Sequence, residues 1–462
     1  MKKIFNIWTV VILAFFLRIV HLDQSFWLDE AAQVIESSRA LNQQFNLAAD
    51  FHPPLYHLLL HFWLQPATSE VWVRMLSVFL GIGSIFFIYL LGRLIIKEKQ
   101  ALSAAFFLAI SPYHIWYSQE ARPYIAFAFF SLASTYFLIK KKWVLCTVFL
   151  VLSLYTHYFT LFLLIGDGFY IFLFEKKYLK TGLASIISAL VLFSFWLPEF
   201  VKQLSLGTNG LFPGWTNVVS VSSLRTAGLT FAKFIFGRGT LENKYLYAVL
   251  IFPVFFLLIL SLVKIWRIIT GKILIFLFFM PFVICEFISL FIPIVAPQRL
   301  IFLLPLFYLI LAEGIDNFSK KVQFAAILIV IITSIGGIYQ YYTDPNVQRE
   351  QWRDAVSFTE KDSDPQNVAL FVFPQPFAPY MWYGKGTIDA WGIAPKFIVT
   401  DSDLKNLSLR LQNKKRAYLY QYLTGLTDPQ GKTKNFLSAE GFIQSYTNNF
   451  SGVGFIYTYD KK

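Results

Sequence analysis

Cysteine is scarce in this chain, which has only Cys146 and Cys285 among 462 residues. Both lie inside apolar runs, which argues against a disulfide framework or a cysteine metal cluster. Charge is low as well, because 15% of the residues are charged and 56% are hydrophobic, with a mean hydropathy of +0.55. These values exclude an ordinary soluble globule and indicate an integral membrane protein.

Acidic residues are fewer than basic ones, 27 against 40, so the net charge is +13. In a soluble protein this excess would suggest nucleic acid as a partner. Here the basic residues recur in alternate connections between apolar runs, on the side of Lys2 and Lys3, as the positive-inside rule requires. We therefore predict a cytoplasmic N-terminus and no nucleic-acid binding. The residues are Lys97, Lys99, Lys140, Lys141, Lys142, Lys176, Lys177, Lys180, Lys264, Arg267, Lys272, Lys320 and Lys321.

Apolar runs recur from residue 6 to residue 341. A bilayer core takes about 20 helical residues, so we predict an α-helical polytopic membrane protein with about eleven transmembrane helices. The first run lacks a cleavage site and is expected to be a retained anchor. Segment 53–66 is too short to span and is predicted to pack at the membrane boundary. The predicted spans are 6–22, 71–96, 101–118, 123–139, 143–157, 159–174, 181–200, 244–266, 273–292, 299–315 and 322–341.

The character of the chain changes after Tyr341. Strand-like segments at 368–373, 417–420 and 452–457 alternate with polar, helix-compatible stretches such as 402–413. This pattern predicts a small extracytoplasmic α/β domain over 342–462, following a membrane domain over 1–341. The expected location is the cell membrane, with the loop 23–70 on the outer face.

An acidic pair, Asp29 and Glu30, follows the first apolar run. A charge in hydrocarbon costs on the order of 2.5 to 3.5 kcal/mol, so both residues must lie at an aqueous boundary. Asp29, Gln33 and Glu36 recur at helical spacing, which predicts a short amphipathic helix on the membrane surface. The pair is either part of a functional site or a set of solvated charges at the N-terminus of that helix.

His52 precedes the paired prolines Pro53 and Pro54, and Asp50 lies two residues before it. Two prolines fix the backbone, so His52 is predicted on a defined turn before the next helix. It is either an interfacial histidine bonded to backbone or the ligand of a divalent metal (Zn, Mn or Mg). Carboxylates nearby would favour the metal.

A second acidic turn on the predicted outer face carries Glu120 and Arg122, which lie among Tyr113, Trp116, Tyr117 and Tyr124. Two carboxylate loops on one face favour a functional site, although Arg122 could serve only as an ion-pair partner of Glu120. Arg299 lies at the mouth of a predicted span. It either extends to the interface as a long basic side chain or captures a phosphate through its planar guanidinium.

Together these motifs resemble the membrane glycosyltransferases of the GT-C superfamily, in the bacterial branch related to protein O-mannosyltransferases and to the aminoarabinose transferase of lipid A. The resemblance covers roughly residues 1 to 315. It rests on the motifs Trp27-Leu28-Asp29-Glu30-Ala31, His52-Pro53-Pro54-Leu55-Tyr56, Ser69-Glu70 with Arg74, Leu91-Gly92-Arg93, Ser111-Pro112, Ser118-Gln119-Glu120-Ala121-Arg122-Pro123-Tyr124, Thr156-His157-Tyr158 and Pro297-Gln298-Arg299.

The resemblance implies transfer of a sugar from a polyprenyl-phosphate donor to a hydroxyl of a glycan, lipid or protein acceptor on the outer face, with inversion. By motif, Asp29 would act on the acceptor hydroxyl, with Glu30 and Glu120 as further catalytic residues. The expected substrate-binding residues are Arg122, Tyr124, His157, Tyr158 and Arg299. The aminoarabinose transferase has a lysine before its paired prolines and an acid before that, whereas this chain has His52 after Phe51. Its mode of metal binding is therefore not carried over.

A transporter or flippase of lipid-linked sugars is the alternative. Such a protein should show paired broken helices or inverted repeats with polar groups near the middle of the membrane. The sequence has no internal repeat of that kind, and its carboxylates cluster toward one surface. These observations favour the enzyme.

Overall fold

The computed structural model describes residues 6–47, 50–208, 224–292 and 294–462, in two compact units. The first unit contains the described residues up to Leu22, from Arg39 to Gly207 and from Leu224 to Val347. The second contains Asp23–Ser38 and Gln348–Lys462. Lys2, Lys3 and much of the predicted outer loop 201–243 lie outside the described residues.

Helices dominate the chain up to residue 343. They are α1 Ile7–Ile19, α2 Leu28–Ser37, α3 Leu55–Trp63, α4 Glu70–Ile95, α5 Glu98–Ala109, α6 Pro112–Ser118, α7 Tyr124–Ile139, α8 Trp143–Leu154, α9 Thr160–Phe174, α10 Leu179–Phe193, α11 Leu197–Thr208, α12 Leu224–Phe236, α13 Lys244–Ile265, α14 Ile269–Ser289, α15 Leu304–Asp316 and α16 Lys320–Thr343. Short 3-10 segments lie at Leu41–Gln43, Lys176–Tyr178, Ser194–Trp196 and Pro297–Leu303.

Six helical stretches within the described residues are long and apolar enough to cross a membrane, so the chain is a multi-pass membrane protein. Four shorter apolar helices, α1, α7, α8 and α9, accompany them. The predicted count of about eleven spans remains a prediction. The six stretches are Glu70–Ile95, Lys176–Leu206, Lys244–Ile265, Ile269–Ser289, Pro297–Asp316 and Lys320–Thr343.

The apolar run 101–118 does not form the single helix that its composition predicts. It divides into α5 and α6, because Ser111 caps α6 by accepting from the backbone N–H of His114 and Pro112 occupies the first helical position. Proline has no N–H to donate, and its ring clashes with the carbonyl four residues earlier, so a helix cannot pass through it undisturbed. The break places the turn after Ser118 at the end of a short separate helix.

A buried arginine ties α1 to this short helix. Arg18 Nη1 donates to the carbonyls of Ala14 and Ala109, each at 3.0 Å, and Nη2 lies 2.8 Å from His114 Nδ1. Gln119 Nε2 donates back to the carbonyls of Arg18 and Val20, at 3.0 and 2.6 Å. These bonds hold the turn that carries Glu120 and Arg122 next to the C-terminal end of α1.

The second unit contains a five-stranded sheet in the order β2-β1-β3-β5-β4. β1 is parallel to β2 and β3, and β5 is antiparallel to β3 and β4. The sequence predicted β1, β3 and β5 and missed β2 and β4. The strands are β1 Asn367–Phe371, β2 Asp389–Gly392, β3 Arg416–Tyr420, β4 Phe442–Phe450 and β5 Gly454–Lys461; the helices are α17 Trp352–Thr359, α18 Ala378–Tyr383, α19 Asp401–Leu411, α20 Thr424–Thr427 and α21 Lys432–Ala439.

Helix α2, which carries the acidic pair, belongs to the second unit. The backbone N–H of Phe26 donates to the Tyr383 hydroxyl at 2.7 Å, and the Phe26 ring contacts those of Trp382 and Tyr383. Ser25 Oγ donates to the Glu350 carbonyl. The division at residue 341 into a membrane domain and an outer domain remains a prediction.

Candidate active site

One carboxylate joins two histidines in the first unit. Asp50 Oδ1 lies 2.7 Å from His52 Nδ1, and Asp50 Oδ2 lies 2.9 Å from His57 Nε2. Arg122 Nη1 lies 3.8 Å from Asp50 Oδ2. The four side chains are nearly buried, with exposures of 9% for Asp50, 12% for His52, 1% for His57 and 8% for Arg122.

The paired prolines create this arrangement locally. Pro54 is the N-cap of α3, so the chain turns from Asp50 and His52 directly into a helix whose first turn carries His57. The N–H of Leu55 donates to the carbonyl of Tyr155 at 2.8 Å, which fixes the start of α3 to the end of α8. With nine residues, α3 is too short to span a membrane, in agreement with the prediction for segment 53–66.

Electrostatics keep Asp50 ionised and His52 neutral. Burial alone would raise the pKa of Asp50, but the charge of Arg122 and hydrogen bonds from His52 and His57 bring it well below its ordinary value. Burial lowers the pKa of His52; Asp50 opposes this, and Arg122 and Arg299 add to it. Since Nδ1 of His52 then donates to Asp50, its Nε2 atom carries a lone pair for a ligand or a substrate hydroxyl.

His157 and Tyr124, two of the predicted substrate-binding residues, lie beside His52. The His52 ring centroid is 5.4 Å from that of His157 and 5.8 Å from that of Tyr124. His157 stacks on Phe127 at 4.6 Å, and its Nδ1 accepts from the N–H of Phe159 at 3.1 Å. The neutral ring of His157 therefore carries its hydrogen on Nε2.

Arg299 is held in place by a hydrogen bond to the backbone of its own segment. It lies in the 3-10 turn Pro297–Leu303, and its Nη1 donates to the carbonyl of Ile294 at 2.6 Å. Its charge contributes to the lowered pKa of His52, so the guanidinium lies within electrostatic range of that imidazole. Asp50 thus contacts His52, His57 and Arg122, and the charge of Arg299 acts on His52.

The other predicted site residues are Glu120, Tyr158, Asp29 and Glu30. Glu120 is 1% exposed on the turn that also carries Arg122. The Tyr158 hydroxyl bonds to protein groups, donating to Gln203 Oε1 and accepting from Trp196 Nε1. Asp29 is half-buried and Glu30 fully buried, in the first turn of α2 in the second unit.

His57 and Gln203 were not among the predicted site residues. His57 is seven residues after Asp50, and the paired prolines between them are a signal that could have indicated the contact. Gln203 lies in a segment predicted to be an outer loop, and no local pattern marks it.

Asp50, His52 and His57 also offer the donors of a divalent metal site, one carboxylate and two imidazoles. Zinc ligands lie about 2.0 to 2.2 Å from the ion, which puts neighbouring ligand atoms roughly 3.3 Å apart in a tetrahedral site. The 2.9 Å separation of Asp50 Oδ2 and His57 Nε2 is near this value. Asp50 and His57 therefore fit such an ion, which would compete with Arg122 for Asp50.

No protein-family model matches the sequence, and no curated protein matches it. Solved structures match almost all of it. ArnT from Cupriavidus metallidurans, in the apo state, gives a TM-score of 0.62 at 11% identity, covering 98% of this chain and 97% of ArnT. ArnT bound to undecaprenyl phosphate gives a TM-score of 0.60 at 11% identity, with the same 98% and 97% coverage. The oligosaccharyltransferase of Archaeoglobus fulgidus, in complex with Zn and sulfate, gives 0.54 at 12% identity, covering 98% of this chain and 72% of that one.

At these identities the comparisons establish the fold. The chain has the fold of these membrane glycosyltransferases, which is the fold that the resemblance to the GT-C superfamily implies. A helical membrane portion and a small C-terminal α/β sheet, both predicted, are present in this chain.

Proposed function

We propose that the protein transfers a sugar from a polyprenyl-phosphate donor to the hydroxyl of a glycan, lipid or protein acceptor, with inversion at the anomeric carbon. The observation that carries the proposal is the cluster in which His52, His57 and Arg122 contact Asp50. His157 lies beside His52, and Arg299 is in electrostatic range of the same imidazole. The cluster occurs in a GT-C fold that ArnT, solved with undecaprenyl phosphate, also has.

The cationic pocket suits the phosphate of the donor. Guanidinium groups bind phosphate oxygens through paired N–H donors and keep their charge in a buried site. As the bond from the anomeric carbon to the phosphate oxygen breaks, its electrons pass to the leaving phosphate. Arg122 and Arg299 would stabilise that charge, and the Nε2–H of His157 offers a further donor.

The acceptor hydroxyl needs a base while its oxygen bonds to the anomeric carbon. We assign that proton to Asp29, on the resemblance of its motif, since general-base catalysis contributes typically about 10² to 10⁴ in rate. A single displacement inverts the carbon and requires no covalent nucleophile. Glu30 and Glu120 are proposed to shape the site, and Tyr124 and Tyr158 to contribute to binding.

A divalent cation such as zinc would be held by Asp50 and His57, with His52 as a further ligand. When bound, it would supply positive charge near the leaving phosphate. The Archaeoglobus fulgidus oligosaccharyltransferase was solved with Zn and sulfate, which supports testing this assignment.

The proposal includes the predicted orientation of the protein in the membrane. The basic connections lie in the cytoplasm, and the acidic loop, the second acidic turn and the C-terminal unit lie outside the cell membrane. Donor and acceptor then meet at the outer surface.

The test is sugar transfer in membranes that contain the wild-type protein or Asp29→Asn, with radiolabelled polyprenyl-phosphate sugars, each with and without a chelator. Label should leave the donor in the wild type and remain on it in Asp29→Asn. Chelator sensitivity that added zinc reverses would support the metal.

Two outcomes would contradict the proposal. Undiminished transfer by a folded Asp29→Asn protein would show that this carboxylate is not the base. Movement of labelled lipid across the bilayer with no donor consumed would identify a transporter or flippase instead.

A further inference from the structure

A buried glutamine holds the backbone of the loop that carries Asp50 and His52. Gln203, on α11, is 1% exposed. Its Nε2 donates to the carbonyls of Leu47 at 2.8 Å and Asp50 at 2.5 Å, and lies 3.4 Å from the carbonyl of His52. One side-chain amide therefore reaches three carbonyls within six residues of chain.

The other end of this amide is also fixed. Gln203 Oε1 accepts from the hydroxyl of Tyr158, which in turn accepts from Trp196 Nε1 at 3.0 Å. A tyrosine hydroxyl that accepts from an indole N–H keeps its own hydrogen for Gln203. The amide oxygen thus faces Tyr158, and the amide hydrogens face the loop.

Within the loop itself, the N–H of Asp50 donates to the carbonyl of Leu47 at 3.0 Å, and Gln203 adds side-chain hydrogen bonds to the same backbone. Residues 50–52 belong to no helix or strand, and Pro53 and Pro54 have no backbone N–H to donate. The side chains of Asp50 and His52 are engaged with each other, and Asp50 also contacts His57 and Arg122. Gln203 contacts the backbone of the same residues, so the loop is held through both its side chains and its carbonyls.

We propose that Gln203 is a positioning residue, which places Asp50 and, through the contact of Asp50 with Arg122, that guanidinium for binding the donor phosphate, with Tyr158 orienting its amide. The inference rests on the proposed function for the ligand, but the placement of the loop can be measured without any ligand. It makes α11 a determinant of phosphate affinity, because Gln203 contacts the backbone of the loop that carries Asp50.

The experiment uses the full-length protein in lipid nanodiscs. Gln203→Met keeps a side chain of similar length and removes the amide. The matched control is Gln323→Met, because Gln323 is a buried glutamine, 8% exposed, whose Nε2 donates to the carbonyls of Asp316 at 2.7 Å and Phe318 at 2.9 Å. Tyr158→Phe tests the orientation of the amide.

Two readouts are taken, hydrogen–deuterium exchange of the peptide over residues 50–57 and binding of undecaprenyl phosphate. We expect Gln203→Met to exchange faster in this peptide alone and to bind the lipid phosphate about tenfold more weakly. Tyr158→Phe should shift both readouts in the same direction. Gln323→Met should leave both at wild-type values.

If Gln203 acted only in folding, the Gln203→Met substitution would have a different effect on binding. It would reduce the fraction of protein that binds while leaving the Kd of the remaining fraction unchanged. Wild-type Kd and wild-type exchange in Gln203→Met would overturn the inference. If the wild type binds no undecaprenyl phosphate, the proposed function fails, and exchange of the peptide still decides whether Gln203 holds the loop.

Discussion

Asp50 Oδ2 lies 2.9 Å from His57 Nε2, across the paired prolines that end one loop and begin the next helix. The other oxygen of the same carboxylate lies 2.7 Å from His52 Nδ1. Both imidazole rings therefore take their orientation from one ionised side chain. The arrangement of the pocket depends on Asp50 keeping its charge.

Asp50→Asn should weaken both contacts. The amide offers one oxygen as an acceptor, while its NH₂ group faces the other histidine, so one buried donor loses its partner at a cost of about 1 to 3 kcal/mol. We expect transfer or undecaprenyl-phosphate binding to fall by roughly 10-fold to 100-fold. The control is Asp316→Asn, at the far end of α15, where the carboxylate accepts from Gln100 Nε2 at 2.8 Å. Equal affinity of Asp50→Asn and Asp316→Asn for undecaprenyl phosphate would show that Asp50 is not part of the binding site.

Asp29→Asn should lose transfer by about 10² to 10⁴ if Asp29 is the base, because an amide cannot take the acceptor proton. Binding of undecaprenyl phosphate should remain, since the proposed phosphate pocket uses other residues. The matched variant is Asp23→Asn, an exposed aspartate six residues earlier in the same segment. Comparable losses in both variants would indicate a general effect of charge in this loop.

Arg299→Lys should weaken binding of undecaprenyl phosphate about tenfold, or about 1.4 kcal/mol, because an ammonium keeps the charge but loses the planar pair of donors. The guanidinium also donates to the Ile294 carbonyl, so the arginine is already held in place before the ligand arrives. Arg267→Lys, at an exposed position in the turn after α13, is the control. An unchanged Kd in Arg299→Lys would assign Arg299 to the membrane interface, the alternative that its sequence position left open.

The second unit should show a pH-dependent stability that comes from Glu350. Burial raises the pKa of this carboxyl above 4.5, although hydrogen bonds from Trp352 Nε1 at 2.6 Å and the Tyr422 hydroxyl at 3.0 Å oppose the shift. The folded state then binds more protons than the unfolded state just above pH 4.5, so stability should fall as pH rises through the folded pKa.

Thermal melts across this range test the prediction. Glu350→Gln should have a flatter dependence of Tm on pH than the wild type, because the amide does not titrate. Glu440→Gln, in the same unit, should retain the wild-type slope. Identical slopes for wild type and Glu350→Gln would mean that Glu350 is ionised at little cost in the folded protein.

Much of the fold follows from local patterns. The span predicted at 71–96 is α4 at Glu70–Ile95, and the strand-like segment at 417–420 lies within β3. Hydrophobic length and alternation determine such elements within one stretch of chain. The break at Pro112 was missed although the residue is visible, because the apolar run around it was long enough to outweigh one proline.

Helix α2 shows what a local sequence pattern predicts and what it does not. The sequence predicts a short amphipathic helix after Asp29, and the helix is present at Leu28–Ser37. Its grouping with residues 348–462, through Phe26 and Tyr383, has no local signal. Contacts between segments more than 300 positions apart depend on packing.

Local patterns were enough to predict the membrane class, the polar turn at His52, the α/β character of the C-terminal part and the resemblance to GT-C enzymes, because hydropathy and proline act over a few residues. Tertiary structure decided which groups meet. His52 with His157, and the carbonyls of Leu47 and Asp50 with Gln203, are brought together by the packing of segments that are distant in sequence. Hydrogen bonds act only over about 3 Å, so which pairs form depends on the positions of whole helices.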